Sequence, residues 1–468
     1  MKPYSSIFER VESMPMGLLN QLFGVETVER IFSDRARLQG MLDFEAALAR
    51  AEARTGVIPS SAVAPILAKC RAELFDLSAL AEGAATAGNL AIPMVKQLTE
   101  LVGADDENAR GYVHWGASSQ DAIDTGLILQ LREALDFIET DLTRFCDILA
   151  RLARQHRDTP VVARTWMQHA VPTLFGFEVA GWLDALGRHR VRFRELKQRV
   201  LVVQFGGAAG TLATLGDRGL AVAGALGEDL NLTLPEMPWG AHRDRITEVA
   251  TTLALCTGTL GKIARDLALQ MQIEISEVFE PAGEGRGGSS TMPHKRNPVS
   301  LATALAAAVR VPGLTSVMLA SMVQEHERGL GGWHAEWDTL PEIVQLTAGS
   351  LHHVIEAVKD LEIRTGRMLE NLEQTQGLIF AEAAMMALAR RIGRDSAHEL
   401  VEAASRRAIQ QSQHLRIVLS ADRAVTKHLS ATEIEALFDP LSYTGMAQQF
   451  IDRVLAAHQQ LFQIAEHR

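Results

Sequence analysis

The sequence contains little cysteine and proline, and it lacks a long apolar run. Its 468 residues include three cysteines, which are scattered and odd in number, so we expect neither a disulfide framework nor a zinc site. This usage favours a reducing compartment. The 15 prolines are few for this length, and alanine and leucine are abundant, which favours long helices.

Basic residues are also fewer than acidic ones, with 46 lysines and arginines against 57 aspartates and glutamates. The formal net charge is −11 and the pI is near 5.8, which argues against a general nucleic-acid or membrane-surface binder. An anionic substrate would therefore need a site that is positive locally. The N-terminal stretch MKPYSSIFERVESMPMG lacks the apolar segment of a signal peptide, and no run of about 18 apolar residues predicts a membrane span. We expect a cytoplasmic protein.

Apolar residues recur at helical spacing along most of the chain. Ser33 or Asp34 can cap a first helix, which Gly56 would end. A seam of apolar residues at alternating spacings of three and four predicts a long helix around residues 127–152. Further helices are predicted at residues 175–203, 241–280 (about 60 Å if helical throughout) and 298–311. Convincing strand runs are absent, so the prediction is an all-α fold.

The chain is long enough for more than one core, and we predict three domains. These are an N-terminal helical domain at 1–111, a central long-helix bundle at 112–360 and a C-terminal helical domain at 361–468. The central helices carry small residues beside their seams, as in TTLALCTGTLGKIA, which lets helices approach on several sides. This favours a bundle that also packs against other subunits, with a monomeric bundle as the alternative.

Three polar segments interrupt the helical pattern. The first, HWGASSQDAIDTG, places Ser118, Ser119 and Asp121 where a long helix begins. A helix N-terminus with added hydroxyl donors favours an anion. Simple N-capping by serine or aspartate is the alternative, and taken alone the segment favours it.

The second segment, ARTWMQHAVPTLFG, groups polar side chains around Trp166, and Pro172 is expected to start the next helix. Taken alone it reads as an interhelix loop whose polar groups are satisfied. Its polar residues are Arg164, Thr165, Gln168, His169 and Thr173.

The third segment, GGSSTMPHKRNP, follows a glycine-rich stretch with little backbone restraint. Lys295 and Arg296 can hold carboxylates, Asn297 can donate to one, and a serine here could lose its proton if cations stabilise the alkoxide. A solvated surface loop would not need this density of polar types. The GGAAG run after Phe205 is only a weak nucleotide signal, and the histidines lack a metal-binding spacing.

Together the three segments resemble the fumarase/aspartase superfamily. GSSTMPHKRNP is similar to the family's signature loop, and HWGASSQDAIDT and RTWMQHAVPTLFG resemble its other two shared regions in order and spacing. The resemblance spans essentially the whole chain. It implies a three-domain, almost all-α subunit, a homotetramer on a central bundle of long helices, and active sites built from three subunits. It also implies that no metal or organic cofactor is needed.

The family catalyses anti elimination or addition next to a carboxylate, through a dianion that the site must stabilise. The resemblance implies that Ser289 transfers the proton and that Lys295 and Asn297 bind carboxylate. His114 matches a histidine of the adenylosuccinate lyase branch and is a third catalytic candidate with Ser289 and Lys295. The remaining positions implied for substrate binding are Ser118, Ser119, Thr165, Trp166, Gln168, Ser290 and Thr291.

Trp166 departs from the family pattern R-T-H-x-Q, in which the histidine acts as an acid or base. An indole cannot transfer a proton at neutral pH. The group that leaves or attacks should therefore need no proton, as holds for a carboxylate with a pKa near 4. Intramolecular addition of a carboxylate to an alkene gives a lactone. The resemblance implies a small tricarboxylate substrate, and the acidic balance of the chain predicts no nucleic-acid or membrane partner.

Two alternatives stay open at this point. One is a C–N lyase of the same superfamily, since a leaving group such as nitrite would also tolerate Trp166. The other is a non-catalytic structural relative. A histidine such as His114, His169 or His294 could also take over proton transfer.

Overall fold

A computed structural model describes residues 19–281, 283, 287, 288, 292 and 295–466. The chain forms two compact units. One comprises Met1–Asp141, Arg190–Gly261 and Thr303–His353, and the other Leu142–His189, Lys262–Ala302 and Val354–Arg468. The division into three domains at residues 111 and 360 stays a prediction.

Helices dominate the described residues, in agreement with the all-α prediction. The helices that precede the first polar segment are α1 Asn20–Phe23, α2 Glu26–Ile31, α3 Asp34–Arg54, α4 Val63–Lys69, α5 Leu77–Ala87 and α6 Ala91–Asp105. The next six are α7 Ser119–Gln155, α8 Phe175–Val200, α9 Gly219–Leu230, α10 Asp244–Gln270, α11 Val299–Ser321 and α12 Gly332–Val358. The last are α13 Thr365–Glu373, α14 Ala381–Ile392, α15 Arg394–Gln411, α16 Leu415–Ala421, α17 Arg423–Thr426, α18 Ala431–Leu437 and α19 Ala447–Glu466.

The predicted helix boundaries hold in part. Ser33 caps α3 by accepting a hydrogen bond from Ala36 N at 3.3 Å. The helix predicted over residues 241–280 is shorter, because α10 ends at Gln270, a stretch of turns follows, and Val278–Phe279 then forms a strand. The helix predicted to end at residue 311 instead continues through Pro312 to Ser321.

Two small antiparallel pairs of strands accompany the helices in the described residues. β1 Pro160–Thr165 pairs with β2 Gln168–Leu174, and β3 Val278–Phe279 pairs with β4 Glu362–Ile363. The interhelix-loop interpretation of the second polar segment is therefore wrong. Pro172 lies inside β2 and does not begin a helix, since α8 starts at Phe175.

Glycines set the position of α7 in the first unit. A Cβ on Gly40 of α3 would lie 2.9 Å from Gly126 O, and a Cβ on Gly126 would lie 2.9 Å from Met41 N. Helices approach this closely only where the contacting residues lack side chains. The contact holds the first turns of α7, which carry the first polar segment, against the buried face of α3.

Helix α11 is apolar yet poorly covered within one chain. Val309 and Leu319 expose 78% and 51% of their surface, and Val323 just beyond the helix exposes 83%. By length and composition alone α11 would also suffice to cross a membrane, and 39% of its most apolar window is buried. An exposed apolar face of this kind is typical of a surface that contacts another molecule.

Candidate active site

The first polar segment is held in place by the buried carboxylate of Asp121. Ser118 donates to Asp121 Oδ2 from its backbone N at 2.8 Å and from Oγ at 3.0 Å. Such a contact between the residue before a helix and a side chain in its first turn is a helix cap. The aspartate form of the capping interpretation is therefore correct, since the Asp121 carboxylate accepts from Ser118 N.

A glycine turn completes the environment of Asp121. Gln204 Nε2 and Gly206 N donate to Oδ1 at 3.1 and 2.9 Å, and Gly207 N donates to Oδ2 at 3.0 Å. Burial raises the pKa of Asp121, and the hydrogen bonds oppose this by stabilising the charged form. Gly207 has φ 70°, and a Cβ there would lie 3.0 Å from Gly116 O. The GGAAG run thus packs against the first segment.

His114 forms a buried pair with Glu45. The sequence pattern had pointed to His114 but not to Glu45. The distance from His114 Nδ1 to Glu45 Oε1 is 2.6 Å. Burial lowers the pKa of His114, but the charge and hydrogen bond of Glu45 outweigh burial, so its pKa is raised above the ordinary value. The pair favours an imidazolium, a cation that can attract a carboxylate or donate a proton.

Arg328 is a second residue that sequence reasoning missed. It follows α11, in the loop before α12, and its side chain is exposed. Its Nη2 donates to Ser118 Oγ at 3.0 Å, and its Nε donates to Gln120 Oε1 at 3.0 Å. A single arginine in the glycine-rich stretch HERGLGG was the only available signal. Arg328 adds a permanent positive charge beside the start of α7.

The second polar segment forms the end of the β1–β2 hairpin. Thr165 and Gln168 face each other in the register, and Trp166 and Met167 form the two-residue turn. Both turn residues have positive φ, 52° and 64°, as a type I′ turn requires. Neither is a glycine, so the turn is strained. The Trp166 side chain is 98% exposed in the single chain.

A largely buried ion pair fixes the turn end of the hairpin, because Arg164 is the next-to-last residue of β1. Arg164 Nη2 and Nη1 donate to the two carboxylate oxygens of Glu277 at 2.7 and 2.9 Å. Asn371 Nδ2 donates to the same carboxylate at 2.7 Å. This bidentate pair orients the hairpin and leaves Arg164 occupied.

His169 lies opposite Arg164 in the hairpin register. Burial lowers its pKa, and the positive charge of Arg164 lowers it further, so the imidazole is neutral near pH 7. Its Nδ1 is buried and has no hydrogen-bond partner in the part of the chain that the structure describes. A neutral imidazole in this position could accept a proton but could not donate one at neutral pH.

The third segment is described at its two ends. Asn297 N donates to Gly287 O at 2.9 Å and closes the neck of the loop. Gly287 has φ 67°, and a Cβ there would lie 2.7 Å from Asn297 O, so the neck requires glycine. Lys295 is exposed and Asn297 is half-buried. The predicted site residues Ser289, Ser290 and Thr291, and also His294, lie outside the described residues.

Arg296 anchors the loop, which leaves Lys295 as the carboxylate-binding candidate of the two adjacent cations. Arg296 Nη1 donates to Glu362 Oε2 at 2.6 Å, and Arg296 Nη2 donates to Glu280 O at 2.7 Å. The Glu280 carboxylate in turn accepts from Leu301 N at 2.9 Å, in the first turn of α11. The loop therefore ends on a rigid base.

The candidate residues are divided between the two units. His114, Ser118 and Ser119 belong to the first, and Thr165, Trp166, Gln168, Lys295 and Asn297 belong to the second. No group of three or more metal-ligating side chains occurs among the residues that the structure describes.

Comparison with known proteins identifies the family. The model of the family described as "Lyase" matches residues 25–313, and that of "Adenylosuccinate lyase C-terminus" matches residues 377–454. The chain belongs to the fumarase/aspartase superfamily of lyases. The resemblance read from the three segments is thereby confirmed, and the chain is an enzyme of this family.

Individual members of the family cover nearly the whole chain. A 3-carboxy-cis,cis-muconate cycloisomerase of Pseudomonas aeruginosa is 57% identical over 95% of this chain and 97% of its own length. The crystal structure of a 3-carboxy-cis,cis-muconate lactonizing enzyme from Pseudomonas putida has a TM-score of 0.91 and 52% identity, covering 95% of this chain and 99% of that one. A nitrosuccinate lyase of Streptomyces davaonensis is 40% identical over 94% of both chains.

Proposed function

We propose that this enzyme converts 3-carboxy-cis,cis-muconate to 4-carboxymuconolactone, a step of protocatechuate degradation by the β-ketoadipate pathway. The observation that carries the proposal is Trp166, an indole in place of the family's proton-transferring histidine. Because loss of nitrite would also tolerate an indole at this position, the choice of ring closure over nitrite loss rests on the 57% identity to a cycloisomerase, against 40% to a nitrosuccinate lyase. No metal or organic cofactor takes part in the proposed reaction.

The first segment would bind one substrate carboxylate. Arg328 Nη2 lies 3.0 Å from Ser118 Oγ at the start of α7, Glu45 raises the pKa of His114, and the first turn of a helix presents N–H groups that favour an anion. These positive groups oppose the net charge of −11, which would otherwise repel a tricarboxylate. Ser119 would add a hydroxyl donor, whereas the Ser118 hydroxyl donates to Asp121 Oδ2 and would act through the Arg328 guanidinium that it holds.

The third segment would stabilise the dianion. Lys295 and Asn297 stand at the rigid end of the loop and would bind the carboxylate next to the new carbanion. One substrate carboxylate adds to the distal alkene carbon, and Ser289, or a group acting through it, then protonates the carbon alpha to another carboxylate. Because the carboxylate that adds to the alkene is already ionised, no acid is needed at the position of Trp166.

We also propose that the enzyme is a cytoplasmic homotetramer with sites shared between subunits. The exposed indole of Trp166, on a strained turn, and the exposed apolar residues of α11 both need a partner surface. Sedimentation should give a tetramer. Mixing a Gln168→Ala variant with a Ser289→Ala variant should restore part of the activity, since the two residues belong to different segments and some hybrid sites would carry neither substitution.

The deciding experiment is an ultraviolet assay on the purified protein. With 3-carboxymuconate we expect loss of the conjugated diene absorbance. Fumarate formed from nitrosuccinate or adenylosuccinate, without diene loss, would support a C–N lyase instead, and a flat assay on every substrate would support a non-catalytic relative.

The variant Ser289→Ala tests the proposed role of Ser289 in proton transfer. Ser289→Ala should lower turnover by orders of magnitude while the thermal midpoint stays within a few degrees, because only one hydroxyl on a loop is removed. Near-normal turnover would remove Ser289 from the mechanism.

A further inference from the structure

The exposed guanidinium of Arg328 is hydrogen-bonded to the buried side-chain amide of Gln120. Gln120 Oε1 accepts from Arg328 Nε at 3.0 Å. Gln120 Nε2 donates to Gly240 O at 2.6 Å and to Asp124 Oδ2 at 3.1 Å. Because both of these partners are acceptors, the amide nitrogen must face them and the amide oxygen must face Arg328.

Gln120 itself is only 2% exposed, so it can influence a ligand only through another residue. The backbone around it is shaped for this contact. A Cβ on Gly240 would lie 3.0 Å from Gln120 Oε1, closer than an ordinary van der Waals contact. Because Gly240 has no Cβ, the Gln120 amide can occupy this space.

A buried ion cluster supports the amide from below. Asp124, which accepts from Gln120, also accepts from Arg243 Nη1 at 2.7 Å and from Trp333 Nε1 at 3.0 Å. Arg243 is fully buried and also holds Glu336, with Nε 3.0 Å from Oε1. A fully paired buried network has a single low-energy arrangement, so it can hold Gln120 in one orientation.

The guanidinium keeps donors free for a ligand. Its Nη2 contacts Ser118 Oγ and, at 3.4 Å, Ala208 O. Its Nη1 has no protein acceptor among the residues that the structure describes. With Nε held by Gln120 and Nη2 by Ser118, Nη1 is the end of the guanidinium whose donors stay available to a ligand.

We propose that Gln120 is a positioning residue for Arg328, which sets the affinity of the enzyme for one carboxylate of its substrate. The inference rests on the proposed role of Arg328 as a carboxylate-binding group. Removing the amide would let the long arginine side chain sample other rotamers, and each binding event would then have to order it again.

The test is a double-mutant cycle read by KM and kcat with 3-carboxymuconate. Gln120→Met, which keeps the volume and removes the amide, should raise KM about tenfold with kcat changed less than about threefold, in line with the loss of one hydrogen bond to a charged group. In an Arg328→Ala background the same substitution should change KM no further. Gln130→Met is the matched control, because Gln130 is a buried glutamine of the same helix that bonds Ile31 O. It should leave KM unchanged.

The outcomes separate the two proposals. If Gln120→Met raises KM equally in both backgrounds, or in neither, Gln120 does not act through Arg328 and the inference is overturned. If Arg328→Ala alone leaves KM unchanged, the carboxylate-binding role of Arg328 fails, and the positioning role fails with it. Should Gln120→Met not fold, Gly240→Ala takes its place in the cycle with the same expected pattern.

Discussion

Asp121→Asn is expected to loosen the first polar segment, because Asp121 joins two stretches of chain that are distant in sequence. Its carboxylate accepts five hydrogen bonds, from Ser118 N and Oγ, Gln204 Nε2, Gly206 N and Gly207 N. The substitution keeps the shape of the side chain and replaces one acceptor oxygen with an NH₂ donor.

The size of the effect follows from the donors on each oxygen. If Oδ1 becomes the nitrogen, Gln204 Nε2 and Gly206 N lose their acceptor, and if Oδ2 does, Ser118 N and Gly207 N lose theirs. Each buried donor left without a partner costs about 1–3 kcal/mol. At least two are lost in either orientation, so the expected destabilisation is about 2–6 kcal/mol.

Hydrogen exchange reads the affected amides directly. Exchange in peptides covering residues 113–121 and 203–210 should accelerate in Asp121→Asn, and the thermal midpoint should fall. Asp76→Asn is the control, since Asp76 caps α5 through Ser78 N and Ala79 N at an exposed site where water and asparagine both substitute well. Unchanged exchange in both peptides would refute the claim that Asp121 holds this segment.

Two further predictions concern charge and backbone. The raised pKa of His114 means that its pairing with Glu45 contributes stability fully below about pH 6.5 and loses it as pH rises through the folded-state pKa. The deficit of Glu45→Gln in thermal unfolding should therefore be largest at low pH and shrink as pH rises, and a deficit independent of pH would contradict the ion pair. Gly287→Ala should lower kcat at least about tenfold because its Cβ would lie 2.7 Å from Asn297 O. Gly393→Ala, with φ 81° and an uncrowded Cβ, should keep turnover, and equal losses in both would point to backbone strain alone.

Local patterns in the sequence predicted local structure well. The cap at Ser33, the start of α7 near Ser118 and the long helices follow from spacing and capping chemistry, which act within a few residues. The strand pair around Trp166 was missed because its alternation is short and is interrupted by a bulge between Val162 and Arg164. The continuation of α11 past Pro312 was missed because neighbouring contacts can override a local helix breaker.

The sequence by itself determined the helical class, the three polar segments and, through the resemblance of those segments to the superfamily, the kind of chemistry to expect. Only the tertiary structure decided which residues support those segments. Glu45 is 69 positions from His114, and Arg328 is 208 positions from Gln120, yet each pair is in hydrogen-bond contact. Such pairs depend on how helices pack, and packing is a property of whole surfaces that no short stretch of residues encodes.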